Sequence, residues 1–230
     1  MDIEDIEFCE IPSGAYHMGD VNPSIYVRCN EGSSMVALNS FFISKFQITQ
    51  KLFREVMGYN PSYFKYLQDS DRLPVESISW HEANEFCHQL STKVDGTTVF
   101  RLPTEQEWEY ACRAGTTTMF NVGDGLSVHD ANISGKYQIG YDCEMEDIGH
   151  PTYVGSYAPN EWGACDMHGN VWEWCLDMAL TNYEYSSSAH IIRGGAWNSY
   201  SRFCRSSYRG AANADDRFYD LGFRVVKEYL

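Results

Sequence analysis

The segment RLPTEQEWEYACRAG, which spans residues 101–115, contains the clearest helix start in this chain. Thr104 and Glu107 have the spacing of a capping box, in which each side chain binds the backbone amide of the other residue. Apolar residues then recur at the spacing of one helix face, at Trp108, Ala111 and Cys112. The segment predicts a helix that begins after Thr104 and buries this face.

Similar signals lie on the N-terminal side of this segment. Ser79 and Glu82 form a second capping-box pair, followed by an apolar helix face made of Ala83, Phe86, Cys87 and Leu90. Thr49 is a suitable N-cap for a shorter helix over residues 50–57, which Gly58 would end. The residues before Gly115 therefore predict three helices, each from a helix-start signal in its own segment.

The character of the chain changes after Gly115, where glycine, asparagine, aspartate and serine become frequent and apolar runs become short. This composition predicts long irregular loops with short strands, and loops of such length are usually functional. Short apolar runs before the helices predict strands at 7–11, 15–18 and 41–44. We predict one α+β domain over residues 1–230.

Composition and charge narrow the class of protein. The chain has 230 residues, 43% of them hydrophobic, 21% charged and 15% aromatic, which is typical of a folded globular protein rich in rings. A net charge of −15 disfavours nucleic acid and anionic membrane surfaces as partners. No apolar run reaches the ~18 residues of a membrane-spanning helix, and 1–9 shows no signal-peptide pattern. The eight cysteines form no C-x-x-C pair, so we expect buried thiols and no zinc site.

Six blocks stand in order along almost the whole chain: IPSGAYHMGD (11–20), LPVESISWHEANEFC (73–87), RLPTEQEWEYACRAG (101–115), YAPNEWGACDMHGNVWEWCLD (157–177), RGGAW (193–197) and LGFRVV (221–226). Together they resemble the formylglycine-generating-enzyme-like domain, also called the sulfatase-modifying-factor domain. The resemblance implies an elaborated C-type-lectin-like fold with two helices, short twisted sheets and much irregular loop.

The family includes copper-dependent oxidases that make formylglycine, iron-dependent sulfoxide synthases and non-catalytic ligand binders. The oxidases use two cysteines, five residues apart, after the RGG-like block, because soft thiolates hold Cu(I). Here Cys204 stands at the second position and Ser199 at the first. We therefore predict no catalytic residues and no copper. A copper-dependent formylglycine-generating oxidase is the alternative, and Ser199 disfavours it.

A structural cation, Ca²⁺ or Mg²⁺, is implied by the resemblance at two sets of oxygen donors. One set would comprise the side chains of Asp166 and Glu173 with the carbonyls of Gly169 and Val171. A hydrogen-bonded turn is the other interpretation of that segment. The second set would comprise Asn132, the carbonyl of Ile133 and an acid at 146 or 147.

The C-terminal segment Trp197–Asp220 interleaves aromatic rings with Ser, Asn, Gly, Ala, Asp and Arg, which is the composition of antibody binding loops. Seven of the 17 basic residues lie between Arg193 and the C-terminus, and we expect the arginines to pair with carboxylates of the acidic body. Tyr200, Tyr208, Phe218 and Tyr219 stand in a loop-like context, which predicts that they are exposed.

The frame around these rings resembles the variable proteins of diversity-generating retroelements, of the treponemal kind. In that class a reverse transcriptase randomises adenines, so that AAC codons become codons for other residues. Frame motifs are RGGAW (193–197), CRS (204–206), DDR (215–217) and LGFR (221–224). The resemblance makes residues 193–226 the variable region, with ligand-binding positions at Ser199, Tyr200, Phe203, Tyr208, Gly210, Ala211, Asp216, Phe218, Tyr219 and Asp220.

We therefore predict a non-catalytic, receptor-like or adhesion-like protein that displays diversified residues on a rigid scaffold. Its ligand would be a protein, and the family role implies a cell-surface or secreted location. A rival hypothesis is a structural or regulatory domain without an exposed site, which predicts that the tail rings are inaccessible to solvent.

Overall fold

The computed structural model describes residues 6–20, 33–94, 97–141, 144–179 and 188–229. Three α-helices lie in these ranges: α1 (Gln50–Met57), α2 (Trp80–Lys93) and α3 (Glu105–Arg113). The predicted helices are confirmed, and α1 adds a short third helix to the two that the family resemblance implies.

The helix starts follow from side chains three residues apart. Ser79 and Glu82 form a complete capping box on α2, and Thr104 and Glu107 form one on α3. The Thr49 side chain accepts a hydrogen bond from the amide of Leu52 at the start of α1. These bonds satisfy amides that a helix leaves without partners in its first turn.

Within the same ranges, ten strands form three small sheets. The first sheet has the order β1 (Phe8–Ile11), β4 (Phe41–Ser44), β10 (Val226–Tyr229) and β5 (Thr98–Arg101), all antiparallel. A second sheet pairs β2 (Gly14–Met18) with β3 (Ser34–Leu38). The third has the order β8 (Gly210–Asn213), β7 (Ala189–Arg193), β6 (Trp172–Met178) and β9 (Leu221–Gly222), with β6 and β9 parallel. The C-terminal β10 lies between β4 and β5, so the two ends of the described chain meet in one sheet.

The described residues between α3 and β6 form no helix or strand, only turns and one isolated bridge between Phe120 and Gly123. This confirms the predicted irregular character after Gly115. Three clusters of buried side chains hold the elements together; the largest includes the stacked rings of Phe53 and Phe86, 5.6 Å apart, with Phe223 against both. None of the described helices is long and apolar enough to cross a membrane.

Helix α3 is buried on more sides than its apolar pattern predicts. Trp108 is fully buried, as expected, but so are Glu109 and Arg113 on the other face. Glu109 pairs with Arg113 at 2.8 Å, and its second oxygen lies 3.2 Å from the guanidinium of Arg193. Because the charges are matched, the polar face of α3 can be covered by other parts of the chain.

Candidate functional site

Arg193 fixes the backbone at the start of the tail. Its guanidinium is fully buried and donates to the carbonyl oxygens of Ser206 and Tyr208, each at 3.2 Å. The same group lies 3.2 Å from carboxylate oxygens of both Glu105 and Glu109. The tail backbone is thereby tied to α3 through a buried charged group that two carboxylates of this helix share.

The predicted pairing of tail arginines with carboxylates of the body is confirmed. Ion pairs join Arg205 to Asp20, Arg209 to Glu105, Arg217 to Glu82 and Arg224 to Glu173, in addition to those of Arg193. Arg202 differs, because its guanidinium lies 4.5 Å from the ring centre of Phe203 and 5.5 Å from that of Tyr200. The surface of the tail therefore already contains a guanidinium bound on aromatic faces.

The double glycine turns the chain against Cys204. Gly195 has a φ of 74°, and a Cβ atom there would stand 2.3 Å from the sulfur of Cys204. No side chain fits at this position, so the RGG turn can only be built with glycine. The turn and the cysteine next to it form part of the frame.

Ser199 and Cys204, the positions of the oxidase cysteines, both face inward. Ser199 is 7% exposed, and its hydroxyl accepts a hydrogen bond from the amide of Ala196. The Cys204 thiol is fully buried, and burial raises the pKa of this thiol well above its usual range. A hydroxyl and a protonated thiol do not make the two-thiolate site that Cu(I) needs. The burial of Ser199 also removes it from the displayed surface.

A second buried group, which no sequence motif indicated, lies next to Cys204. The sulfur of Cys112 lies within 3.9 Å of both ring nitrogens of His168 and 3.5 Å from the hydroxyl of Ser206. Nδ1 of His168 lies 2.7 Å from the carbonyl of Cys204, and Nε2 accepts from the amide of Asn121. Burial lowers the pKa of His168 to about 4, so the ring is neutral and fully hydrogen-bonded at neutral pH. Both nitrogens are occupied, which indicates a structural role.

Six of the ten candidate ligand-binding residues line one open depression of about 360 Å³. We call it the tail depression; its lining residues are Trp172, Ile192, Tyr208, Gly210, Ala211, Phe218, Tyr219, Asp220 and Leu221. Gly210 packs closely against the wall: a Cβ atom there would stand 2.7 Å from Ile192 and 3.3 Å from Trp172, so a side chain at this position requires Ile192 to shift. Residues far apart in the tail thus surround a single space.

The rings of the tail form two groups beside this space. On one side Tyr200 packs against Tyr137 at 4.8 Å between ring centres, and Phe203 packs against Tyr208 at 5.2 Å. On the other side Phe218 and Tyr219 are 45% and 48% exposed. The predicted exposure holds for these last two, whereas Tyr200 and Tyr208 are half-buried.

Asp216 and Asp220 differ in what they can offer a ligand. Asp216 accepts from the amide of Asn213 at 2.8 Å and so closes the turn after β8. Asp220 lines the tail depression, and one of its oxygens accepts from the side chain of Asn198 at 3.0 Å. Burial raises the pKa of Asp220, although this hydrogen bond partly offsets the effect.

A turn that lies far from the tail in sequence extends this surface. Its residues were not among the predicted binding positions. We call residues 59–67 the aromatic turn. Tyr63 lies 6.0 Å from Tyr219 between ring centres, and Phe64 lies 5.9 Å from Trp197. Tyr59, Tyr63 and Tyr66 are exposed. The aromatic turn has the same composition as the tail, with aromatic residues interleaved among polar ones, so this pattern could have indicated it.

A buried carboxylate holds the aromatic turn in place. Glu76 is fully buried and accepts from the amides of Tyr63 and Phe64, both at 3.0 Å. Burial raises the pKa of Glu76, and these hydrogen bonds oppose that rise. The next residue, Ser77, donates its amide to the carbonyl of Phe218. One short segment therefore positions both the aromatic turn and the tail.

The donor set around Glu173 does not fit a cation. Both oxygens of this buried carboxylate accept from Arg224, Oε1 also accepts from Gln47, and Oε2 accepts from Trp108. The carbonyl of Val171 accepts from Gln47 as well. Asp166 has one buried oxygen without a donor, and burial raises its pKa to about 6. The positive charge that this acidic pocket needs is supplied by Arg224.

The donor set around Asn132 fits a cation better. Oδ1 of Asn132 is buried and has no hydrogen-bond donor. The nearby loop carries Asp147, whose carboxylate accepts from Ser134 and Gly135. Of the two acids considered at 146 and 147, Asp147 is thus hydrogen-bonded to residues that directly follow Asn132 and Ile133. Within the described ranges no three His, Cys, Asp or Glu side chains form a metal-binding group, so such an ion would rest mainly on neutral oxygens.

Comparisons with known proteins agree with this architecture. The model of the sulfatase-modifying factor enzyme 1-like domain matches residues 5–229. The chain is 30% identical to the chaperone protein LppX of Paenibacillus barcinonensis over 232 residues, which cover 84% of this chain and 81% of that protein. It is 29% identical to the formylglycine-generating enzyme of Mus musculus over 175 residues, 68% of this chain and 45% of the enzyme. The chain thus spans about half the length of that relative.

Two solved structures share the fold across almost the whole chain. Treponema denticola variable protein 1 superimposes with a TM-score of 0.74 and 25% identity, covering 95% of this chain and 94% of that one. PvdO from Pseudomonas aeruginosa superimposes with a TM-score of 0.77 and 25% identity, covering 97% and 94%. The predicted fold class and the predicted similarity to a variable protein are both confirmed.

Proposed function

This chain belongs to the family of sulfatase-modifying factor enzyme 1-like domains, and from that premise we propose that it is a non-catalytic ligand-binding protein of the variable-protein kind. Its tail residues would contact a protein ligand while the body serves as a rigid scaffold. The similarity to Treponema denticola variable protein 1 supports this proposal. The observation that carries it is the tail depression, which gathers six candidate residues around one space.

The scaffold half of the proposal is supported by where the charges lie. The arginines of the frame pair with carboxylates of the body, whereas Phe218 and Tyr219 stand exposed between them. A fixed backbone lowers the conformational entropy lost on binding, and exposed aromatic residues are typical of binding hot spots. Diversification at the rim could then change ligand choice without changing the fold.

Selection from a phage-displayed library of random peptides tests ligand binding. We expect enriched peptides to bind the wild-type protein and to lose at least about tenfold in affinity toward a variant with Phe218→Ala and Tyr219→Ala. Tyr229→Ala is the matched control, since Tyr229 is an exposed ring on β10 away from the tail. Peptides that bind all three proteins equally would contradict the proposed surface.

Sequencing of the genomic locus tests diversification. We expect a near-repeat of the 3′ end of the gene that differs mainly at adenines, next to a reverse transcriptase gene. A locus without either feature would make the tail an ordinary loop and would leave the fold assignment unchanged.

The oxidase alternative follows from the relatives named formylglycine-generating enzyme. Ser199 and the buried, protonated Cys204 argue against it. We expect the purified protein to bind no Cu(I) tightly and to leave a cysteine-containing peptide unoxidised. Stoichiometric Cu(I) binding together with aldehyde formation would overturn the non-catalytic proposal.

A structural Ca²⁺ or Mg²⁺ ion also belongs to this proposal, at the set around Asn132, Ile133 and Asp147. The support is the buried oxygen of Asn132, which has no donor. An ion there would hold the irregular loop against the RGG frame. We expect CaCl2 to raise the melting temperature relative to EDTA in the wild-type protein and not in Asn132→Ala. An equal effect in both proteins would exclude this set.

A cell-surface or secreted location is proposed on the family role alone. Surface labelling of intact cells with an antibody against the domain tests it, and labelling only after permeabilisation would contradict it.

A further inference from the structure

The tail depression combines aromatic faces with a carboxylate, and this combination favours a cationic ligand. Trp172 and Tyr208 lie on its wall with ring centres 5.9 Å apart and planes at 50°. Tyr219 lines the depression together with Asp220. Aromatic faces attract cations through their quadrupoles, and a carboxylate beside them supplies the opposite charge.

We propose that the tail depression binds the guanidinium group of an arginine side chain on the partner protein. This inference rests on the proposed ligand-binding function and names the chemistry of the ligand. The planar guanidinium would stack on the rings of Trp172, Tyr208 or Tyr219, and its N–H groups would donate to the carboxylate of Asp220.

Asp220 is suited to this role because the hydrogen-bond donor beside its negative charge is neutral. Its carboxylate accepts one hydrogen bond from the neutral side chain of Asn198. In the part of the chain that the structure describes, no lysine or arginine forms an ion pair with it, whereas the neighbouring Arg217 is bound to Glu82. A half-buried carboxylate with only a neutral donor gains most from a cationic ligand.

The tail itself contains a guanidinium packed on an aromatic ring. The guanidinium of Arg202 lies 4.5 Å from the ring centre of Phe203. The net charge of −15 further favours a partner with basic side chains, because long-range attraction raises the rate of encounter.

The depression is large enough for one arginine side chain. Its volume is about 360 Å³. An arginine could place its apolar stem along Ile192 and Leu221 while the head group reaches the carboxylate.

Titration with N-acetyl-arginine amide, followed by amide chemical shifts, tests the proposal. We expect millimolar binding with shifts centred on Gly210, Ala211 and Asp220, and a loss of at least about fivefold in affinity in Asp220→Asn. Asp215→Asn is the matched control, because it removes the same charge from a side chain that is 90% exposed. Nα-acetyl-lysine amide, whose side-chain ammonium is unmodified, should bind more weakly. An ammonium group is not planar, so it cannot lie flat on a ring and donate to a carboxylate in the bidentate manner of a guanidinium.

Four outcomes would overturn the inference: no binding to the wild-type protein, shifts elsewhere on the surface, equal affinity in Asp220→Asn, or equal affinity for the lysine compound. The failure of this inference can be separated from failure of the proposed function. A selected peptide that loses affinity in the Phe218→Ala, Tyr219→Ala variant but keeps it in Asp220→Asn would support the binding surface and exclude the arginine site.

Discussion

The guanidinium of Arg193 donates to the carbonyl oxygen of Tyr208 at 3.2 Å, so a residue of the RGGAW motif holds the backbone of a candidate ligand-binding residue. The bond uses the main chain of Tyr208, whose ring contacts Phe203 and Trp172. A different side chain at position 208 would keep the same backbone anchor. This is the physical basis on which tail residues could vary while the fold remains.

The first prediction concerns this anchor. Arg193→Met should lower the free energy of unfolding by about 3–5 kcal/mol, because the second, buried oxygen of Glu109 and the carbonyls of Ser206 and Tyr208 would lose their cationic partner. Urea denaturation monitored by circular dichroism measures it. Arg217→Ala is the control: its pair with Glu82 is half-exposed and should contribute no more than about 1 kcal/mol. Equal losses in the two variants would show that Arg193 is not a special anchor.

The second prediction separates display residues from core residues. Tyr219→Ala should change the free energy of unfolding by less than about 1 kcal/mol, because its ring is about half-exposed. Phe223→Ala should cost about 3–5 kcal/mol, because its ring is fully buried between Phe53 and Phe86. A loss in Tyr219→Ala as large as that in Phe223→Ala would support the rival hypothesis of a tail without an exposed site.

The third prediction concerns the aromatic turn. Glu76→Ala removes the acceptor of the Tyr63 and Phe64 amides, and we expect those two amides to exchange with solvent at least about tenfold faster. Global stability should fall by about 1–3 kcal/mol, because buried donors lose their partner. Hydrogen exchange measured by NMR distinguishes the local effect from the global one. Unchanged exchange at both amides would show that Glu76 does not hold the turn.

The fourth prediction concerns pH. Burial raises the pKa of Asp166 from 3.8 to about 6, so the folded state binds the proton more tightly than the unfolded state. The contribution of this group to stability is therefore greatest at acidic pH and decreases as pH rises through 6. In EDTA, Asp166→Asn should be more stable than the wild-type protein at pH 7, by up to roughly 3 kcal/mol, and the difference should vanish near pH 4.

Two properties of the site make Asp166→Asn a clean substitution. Asparagine tolerates the positive φ of 55° at this position, and its amide oxygen can still accept from the amide of Gly155. A variant that is less stable than the wild-type protein at pH 7 in EDTA would show that the ionised carboxylate is satisfied in the fold.

Local signals accounted for much of the fold. The capping pairs at Ser79 and Thr104 determine where α2 and α3 begin, because the bonds join residues only three positions apart. Gly58, with a φ of 83°, ends α1 for an equally local reason. The overall C-type-lectin-like arrangement could not be predicted from hydrophobic periodicity. It was predicted from the resemblance of six sequence blocks to a known family.

Local patterns were less informative about burial. Helix α3 has charged residues on its outer face, yet Glu109 and Arg113 are buried, because other segments supply matched charges and cover them. The calcium set around Glu173 is similar: whether a carboxylate is free to bind an ion depends on Arg224, which reaches it from 51 positions away.

The capped helices, the irregular second half and Ser199 at the position of the first oxidase cysteine could be identified from the amino-acid sequence. These features depend on residue identity and on contacts between near neighbours. The burial of Ser199, the exposure of Tyr219 and the contact between the aromatic turn and the tail arise only in the folded protein. Exposure and long-range contact depend on how all the segments pack together, and no short stretch of sequence contains that information.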